Sequence, residues 1–201
     1  MDLYVLDAEI FGLESALSST EGLPRLEILV QLAWHLRQRD CQQALCLVKE
    51  AEDLLKVFSK TLKNPASTLT RIALIRAEIQ WLYGDLDLAK QDANLAFNLS
   101  EECGDFISLG DTYFLFSSIH RDLGEIQQRD QCLQAAKELY QDAGDLLRTQ
   151  VALARQLHNS AIRDPQNTLT ELHQHFNVEL DYHPSVVAWL ASARAIIANK
   201  I

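Results

Sequence analysis

Apolar residues recur at intervals of three and four along almost the whole chain, which is the period of one face of an α-helix. Ile10, Leu13 and Leu17 begin this pattern and predict an N-terminal covering helix within residues 1–23. Polar, Gly-containing or Pro-containing stretches then separate longer stripes into helix pairs at residues 24–60, 68–102, 106–142 and 146–176. A last stripe at residues 184–201 predicts the first helix of a further, unfinished unit. The pattern therefore predicts an all-α chain of about ten helices in a single domain spanning residues 1–201.

The centre of the chain repeats itself at an offset of forty residues. Gly84 matches Gly124, Ala96 matches Ala136, and Gly104-Asp105 matches Gly144-Asp145. Self-similarity at a fixed period of this size is typical of a solenoid, in which each unit buries its apolar face only against its neighbours. Glycine at the matched turns supplies a left-handed residue that ends one helix. We therefore expect a stack of antiparallel helix pairs.

Composition and charge narrow the possible partners. The net charge of −10 argues against a general nucleic-acid binder, because such a protein needs a concentrated basic face. The first thirteen residues have no basic start typical of a secretion signal, and no uninterrupted apolar run reaches the roughly 20 residues needed to insert in a membrane. A cytoplasmic location is the resulting expectation. The four cysteines form no CxxC pair and are expected to be reduced thiols.

Residues that could carry catalysis or bind a metal are few. His173 and His175 lie two apart on a predicted helix, so they point in different directions and cannot chelate one ion. His120 is interpreted as a hydrogen-bonded packing residue, with a pH-sensitive contact as the alternative. The sequence contains no Gly-rich phosphate loop and no nucleophile beside a base. We therefore predict no catalytic residue, no metal site, no cofactor and no enzyme activity in this chain.

The helix pairs resemble tetratricopeptide repeats. In that family a small residue precedes a Gly-Asp turn and two alanines follow it, and here these positions are Ala77, Gly84-Asp85, Ala89 and Ala96. Other units depart from the pattern; Asp40, for example, replaces the turn glycine of the first unit. The resemblance covers about residues 24–176, with a spacing longer than the usual 34 residues. It implies a right-handed superhelical array of antiparallel helix pairs.

The longer spacing is also similar to that of N-terminal repeat domains in bacterial signalling proteins. The segments that carry this second resemblance are Leu32-Ala33-Trp34-His35-Leu36-Arg37, Arg39-Asp40 and Gln43-Ala44-Leu45. In those proteins the repeats precede a diguanylate cyclase, a histidine kinase or another cyclase. The resemblance implies a sensory or docking region whose output domain lies beyond Ile201.

The family binds partners with the concave face built from the first helix of each pair. Its groove positions fall on Glu27, Val30, Trp34 and Arg37 in the first unit, on Arg71, Glu78 and Trp81 in the second, and on Phe114 and Arg121 in the third. Aromatic anchors next to arginines are typical of binding hot spots, so the resemblance implies a groove for a peptide or protein. The alternative for Trp34 and Trp81 is that they fill space between units. The lysines and asparagines with which the family clamps a peptide's terminal carboxylate are absent.

A second function remains open at this stage. The repeats could act as a structural spacer with no ligand of their own, and the apolar helix at residues 184–201 could then form a homodimer. This helix and the acidic outer face of the chain motivate the alternative.

Overall fold

A computed structural model describes residues 3–4, 7–176 and 181–200 of the 201-residue chain, and within these ranges it contains ten α-helices and no strand. The predicted all-α class and the number of helices are confirmed. Part of the loop predicted at residues 177–183 lies outside the described residues. The helices are α1 (Asp7–Leu17), α2 (Gly22–Leu36), α3 (Cys41–Phe58), α4 (Pro65–Leu82), α5 (Leu86–Cys103), α6 (Phe106–Asp122), α7 (Ile126–Asp142), α8 (Leu146–Ala161), α9 (Pro165–His175) and α10 (Pro184–Ala198).

Consecutive helices pack in pairs, α2 with α3, α4 with α5 and α6 with α7. Contacts of α5 with α6 and of α7 with α8 join one pair to the next. The first helices α2, α4 and α6 also contact one another in a row, and α1 covers α2. At the other end, α8 packs against α10 more extensively than against α9. The first helices therefore form one continuous face, beside which α8 and α10 pack together.

The apolar stripe of α10 faces the chain itself. Val186, Leu190, Ala193 and Ile197 are buried, whereas Val187 is about half exposed. Burial of this stripe against α8 and α9 supplies the hydrophobic stabilisation that a partner chain would otherwise have to provide. Most of the apolar surface that suggests a homodimer through residues 184–201 is therefore already used within the chain.

The Gly-Asp pairs end one helix and begin the next. At Gly84 the backbone has φ +82°, the Gly84 N–H donates to the Trp81 carbonyl and the Asp85 N–H donates to the Gln80 carbonyl. These two bonds form a Schellman motif, which needs a left-handed residue and therefore favours glycine. The side chain of Asp85 then accepts a hydrogen bond from the Leu88 N–H at the start of α5. The same backbone bonds recur forty residues later at Gly124.

Small residues set the separation between α5 and its neighbours. Ala89, Ala93 and Ala96 lie on one face of α5 and are fully buried. Because alanine side chains fill little space, the α4 and α6 helices can pack closely against this face. The matched alanine of the next unit, Ala136, is equally buried in α7.

Replacing Ala96 with leucine is expected to lower the free energy of unfolding by about 1–3 kcal/mol, because the extra methyl and methylene groups have no space at this helix contact. Asn94→Leu is the matched control, since Asn94 is an exposed residue of the same helix and should change stability by less than about 0.5 kcal/mol. Urea unfolding of both variants measures the difference. Equal stability of the two variants would mean that α5 does not pack closely at Ala96.

A buried polar network joins four helices in the middle of the chain. The carboxylate of Asp111 in α6 accepts hydrogen bonds from Arg71 Nη1 of α4 at 2.6 Å, from Arg148 Nε of α8 at 2.8 Å and from the hydroxyl of Tyr140 of α7 at 2.9 Å. Burial by itself would raise the pKa of Asp111, but the two guanidiniums outweigh burial and hold the pKa below its usual range. Asp111 is therefore ionised at neutral pH and pairs with both arginines.

None of the helices in the described part of the chain is both long and apolar enough to cross a membrane.

Candidate functional site

Six of the nine predicted groove residues line one cavity of about 580 Å³, which we call the central cavity. Its volume falls in the range of small-molecule sites in proteins. The six residues come from the row of first helices and are Trp34, Arg37, Glu78, Trp81, Phe114 and Arg121. The structure thus brings together residues that lie up to 87 positions apart in the sequence, 121 minus 34.

Trp34, Arg37 and Glu78 form the floor of the central cavity. Trp34 and Arg37 are only 2% and 3% exposed. The Arg37 guanidinium lies 3.5 Å from the centre of the Trp34 ring, and Arg37 Nε donates to Glu78 Oε2 at 2.6 Å. Because their side chains are already packed and paired, Trp34 and Arg37 fill the space between the first two units and shape the cavity. Most of the Trp34 side chain is therefore used in packing, as the alternative hypothesis for this residue states.

Trp81, Arg121 and Asp122 form a more accessible rim. Trp81 Nε1 donates to Asp122 Oδ2 at 2.6 Å, and Arg121 Nε donates to Asp122 Oδ1 at 2.8 Å. The hydrogen bond from Arg121 is the main reason that the pKa of Asp122 is lowered. The Arg121 guanidinium also lies 5.6 Å from the Trp81 ring. These side chains are partly exposed, so a ligand can contact them without rearrangement of the core.

Glu27, Val30 and Arg71 lie apart from the central cavity. They line a second depression of about 570 Å³ between α2, α4 and the start of α6. Arg71 is largely occupied there, because its guanidinium binds Asp111 and Ser108 and lies 4.2 Å from the Trp34 ring. The predicted groove is therefore divided into two parts by the buried side chains of Arg71 and Trp34.

Two segments that we did not assign to the groove from the sequence also line the central cavity. They are Leu3 and Tyr4 near the N-terminus, and Ser185, Ala188 and Trp189 of α10. The Tyr4 ring stacks on the His183 ring with 6.2 Å between their centres, and burial raises the pKa of Tyr4. Trp189 is one of only three tryptophans in the sequence, which could have marked it as a candidate binding residue. It was not assigned to the groove because the repeat pattern, from which groove positions were inferred, does not extend to α10.

Arg155 of α8 was also missed. Its side chain is almost fully buried, and its guanidinium lies 4.7 Å from the Phe114 ring and 5.4 Å from the Trp189 ring. Arg155 Nη2 donates to Ser118 Oγ at 2.8 Å. Burial, assisted by the nearby Arg121 cation, lowers the pKa of Arg155 to about 10. Arg155 is therefore still a cation at neutral pH. It lies in the fourth helix pair, where the family pattern is weak.

The remaining question is whether histidines or clustered metal-binding residues could support catalysis or bind a metal ion. His120 Nδ1 hydrogen-bonds the Glu125 carboxylate, which agrees with its interpretation as a packing residue. Across the described ranges, no group of three or more His, Cys, Asp or Glu side chains is placed so that it could hold a metal ion. The arrangement that remains is a cavity lined by aromatic rings and paired charges, which is suited to binding.

A comparison of the chain with protein-family models, with curated proteins and with solved structures found no match.

Proposed function

We propose that the chain is a non-catalytic regulatory module that docks a peptide or protein partner over the central cavity. The observation that carries this proposal is the convergence of Trp81, Phe114 and Arg121 with Trp189 around one cavity of about 580 Å³. Aromatic and arginine side chains contribute most of the energy in protein interfaces, particularly around a pocket that excludes water. All four side chains belong to helices that pack against other helices of the chain, so a partner has little backbone to order when it binds.

The proposed architecture is a tetratricopeptide-like, right-handed superhelical array. The forty-residue spacing, the repeated Gly84 and Gly124 turns and the buried alanines of α5 and α7 support it. In such an array the row of first helices forms the concave face. The central cavity lies on that row.

The shape of the central cavity limits how a partner would bind. Tyr4 and Trp189, which do not belong to the row of first helices, also line the cavity and narrow this face to a pocket. A partner would therefore insert one compact anchor group into the cavity, while the rest of the partner contacts the rim at Trp81 and Arg121. An extended peptide along the whole row would have to displace Tyr4 or α10.

The position of α10 suggests how binding is reported. Trp189 contacts both the cavity and His158 of α8, with 5.0 Å between the two ring centres. A bound anchor group would stabilise the packing of α10 on α8, and a ligand can shift a conformational equilibrium only through such a differential contact. In a signalling protein of the kind that the sequence resembles, α10 would pass this change to a diguanylate cyclase or kinase domain.

Selection of a random-peptide library on the wild-type chain tests the function. Selected peptides should lose at least about thirtyfold in affinity for Trp81→Ala, which corresponds to a hot spot of about 2 kcal/mol. Tyr83→Ala is the matched control, because Tyr83 is an exposed aromatic residue outside the central cavity. Titration calorimetry measures both affinities. Peptides that bind both variants equally well would show that the central cavity is not the docking site.

A further inference from the structure

Arg155 differs from the other buried arginines of the described residues. Arg37 pairs with Glu78, Arg71 and Arg148 both pair with Asp111, and Arg129 pairs with Asp130. Arg155 is 4% exposed, yet among the described residues no carboxylate forms an ion pair with it. Its partners are the Ser118 hydroxyl and the faces of two aromatic rings.

The carboxylates closest to the cavity are already engaged. Glu78 accepts from Arg37 and from Gln38, and Asp122 accepts from Trp81 and Arg121. Neither can turn to Arg155 without breaking an existing ion pair or hydrogen bond. A buried charge without a partner is costly, since burial removes its hydration and no carboxylate compensates. Within the described ranges, therefore, no carboxylate compensates the buried charge of Arg155.

The local charge of the central cavity is positive although the whole chain carries −10. The lining contains Arg37, Arg121 and Arg155 against Glu78 and Asp111, and Asp111 is further neutralised by Arg71 and Arg148 from outside the lining. Among the described residues, the lining charge that remains without a carboxylate partner is that of Arg155. An anion bound there would gain a charge-assisted hydrogen bond in a partly desolvated site.

Flat apolar surfaces surround this charge. The rings of Phe114 and Trp189 flank the Arg155 guanidinium, and Tyr4, Trp34 and Trp81 line the rest of the central cavity. Aromatic side chains pack well against another flat ring in offset or edge-to-face arrangements. The planar fork of an arginine binds a carboxylate through two parallel N–H bonds. Charge and shape together select a flat, singly anionic group.

We propose that the central cavity binds an organic anion in which a carboxylate adjoins a flat apolar ring, with Arg155 holding the carboxylate. This inference rests on the proposed function, because it names the anchor group that the cavity receives. The same chemistry could reach the cavity as a free aromatic acid or as an acidic residue beside an aromatic residue within a peptide.

Titration calorimetry of the whole 201-residue chain with 2-naphthoate and with its neutral analogue 2-naphthamide tests the proposal. We expect 2-naphthoate to bind roughly ten- to hundredfold more tightly than the amide, the gain from a charge-assisted hydrogen bond. Arg155→Met should remove this preference, because methionine keeps an unbranched apolar side chain without the charge. Arg163→Met is the matched control; Arg163 is 54% exposed and pairs with Asp130, so its loss should leave the preference unchanged.

The stability of the unliganded variants gives an independent readout. If Arg155 serves to bind a ligand and does not stabilise the fold, Arg155→Met should have a melting temperature equal to or above that of the wild type. The reason is that the substitution removes a buried charge without a carboxylate partner. Arg155→Lys keeps the positive charge but lacks the planar guanidinium, so it should retain part of the preference for 2-naphthoate. This variant also tests the proposal if the methionine variant does not fold. A clear fall in melting temperature for Arg155→Met with an unchanged naphthoate preference would overturn the proposal.

Two further outcomes separate the proposals from each other. Equal binding of naphthoate and naphthamide, lost in Trp81→Ala, would support the cavity as a docking site and overturn the assignment of an anion. Failure of both naphthyl compounds to bind would overturn the anion proposal, and the peptide selection would still decide the docking function. Acetyl-Gly-Asp-Phe-Gly-amide, compared with its Asp→Asn form, shows whether a peptide source is accepted in place of the free acid.

Discussion

Asp111→Ala is expected to lower the free energy of unfolding by about 3–5 kcal/mol, the usual result of removing one partner from a buried ion pair. The single carboxylate of Asp111 serves Arg71, Arg148 and Tyr140, which come from three different helices. Its removal leaves two buried guanidiniums without that partner, and a buried charge that loses its counter-ion is costly. Urea unfolding monitored by circular dichroism measures the loss.

Glu50→Ala is the control for this prediction. Glu50 also pairs with an arginine, Arg25, but both side chains are partly exposed. After the substitution water can reach Arg25, which also keeps its hydrogen bonds to the carbonyls of Leu17 and Thr20, so the expected loss is at most about 1 kcal/mol. Losses of similar size at Asp111 and Glu50 would mean that burial of the Asp111 network does not determine its energy.

The pKa of Asp111 also predicts a pH dependence. Because the two arginines hold this pKa below its value in the unfolded chain, the network contributes its full stability above the unfolded pKa of about 3.9 and loses it as the pH falls through the folded pKa. The unfolding free energy of the wild type should therefore fall more steeply below about pH 4 than that of Asp111→Asn, which has no charge to titrate. Parallel pH profiles would contradict this assignment.

The second large effect is expected at Gly110 in α6. A Cβ atom at this position would lie 2.6 Å from Tyr140 Cε1 and 2.9 Å from Tyr140 Cδ1. Tyr140 is fully buried and its hydroxyl is bonded to Asp111, so the ring has little freedom to move away. Gly110→Ala should therefore lower the unfolding free energy by about 1–3 kcal/mol, although alanine is the better helix former.

Gly12→Ala supplies the control with the opposite sign. Gly12 also lies within a helix, but no heavy atom is within 4 Å of its added Cβ, so the substitution should raise stability by up to about 1 kcal/mol. On a Tyr140→Phe background the ring is released from Asp111, and the penalty of Gly110→Ala should then shrink. A penalty that is unchanged on this background would show that the hydrogen bond does not hold the ring in place.

Helix positions and turns followed from short-range patterns. Ile10, Leu13 and Leu17 predicted α1, and the Gly84-Asp85 pair predicted both a helix end and a helix start, because the required backbone geometry depends on a few adjacent residues. The buried alanines of α5 were predictable for a similar reason, since a small residue repeated on one helix face indicates a close neighbour. Each of these features depends on a few adjacent residues, and the forty-residue repeat shows that the same local pattern recurs.

The candidate site was predicted only in part. The family resemblance assigned six residues to one groove, and the structure places all six around one cavity: Trp34, Arg37, Glu78, Trp81, Phe114 and Arg121. The resemblance could not show that Arg37 already pairs with Glu78. Nor could it show that the Arg37 and Arg71 guanidiniums lie 3.5 Å and 4.2 Å from the Trp34 ring. Pairing between side chains about forty residues apart depends on the exact orientation of neighbouring helices. The residues along one face of a helix do not by themselves show which side chains of neighbouring helices they pair with.

By itself the sequence determined the all-α class, the helix pairs and the turns that join them, because helical period, capping and glycine preference act within a few residues of the chain. The tertiary structure alone decided that Tyr4 and Trp189 close the central cavity, that α10 packs on α8, and that Arg155 is buried without a carboxylate partner among the described residues. Those features arise where segments distant in sequence meet, and the free energy of burying a charge or an aromatic ring is set by all of its neighbours together.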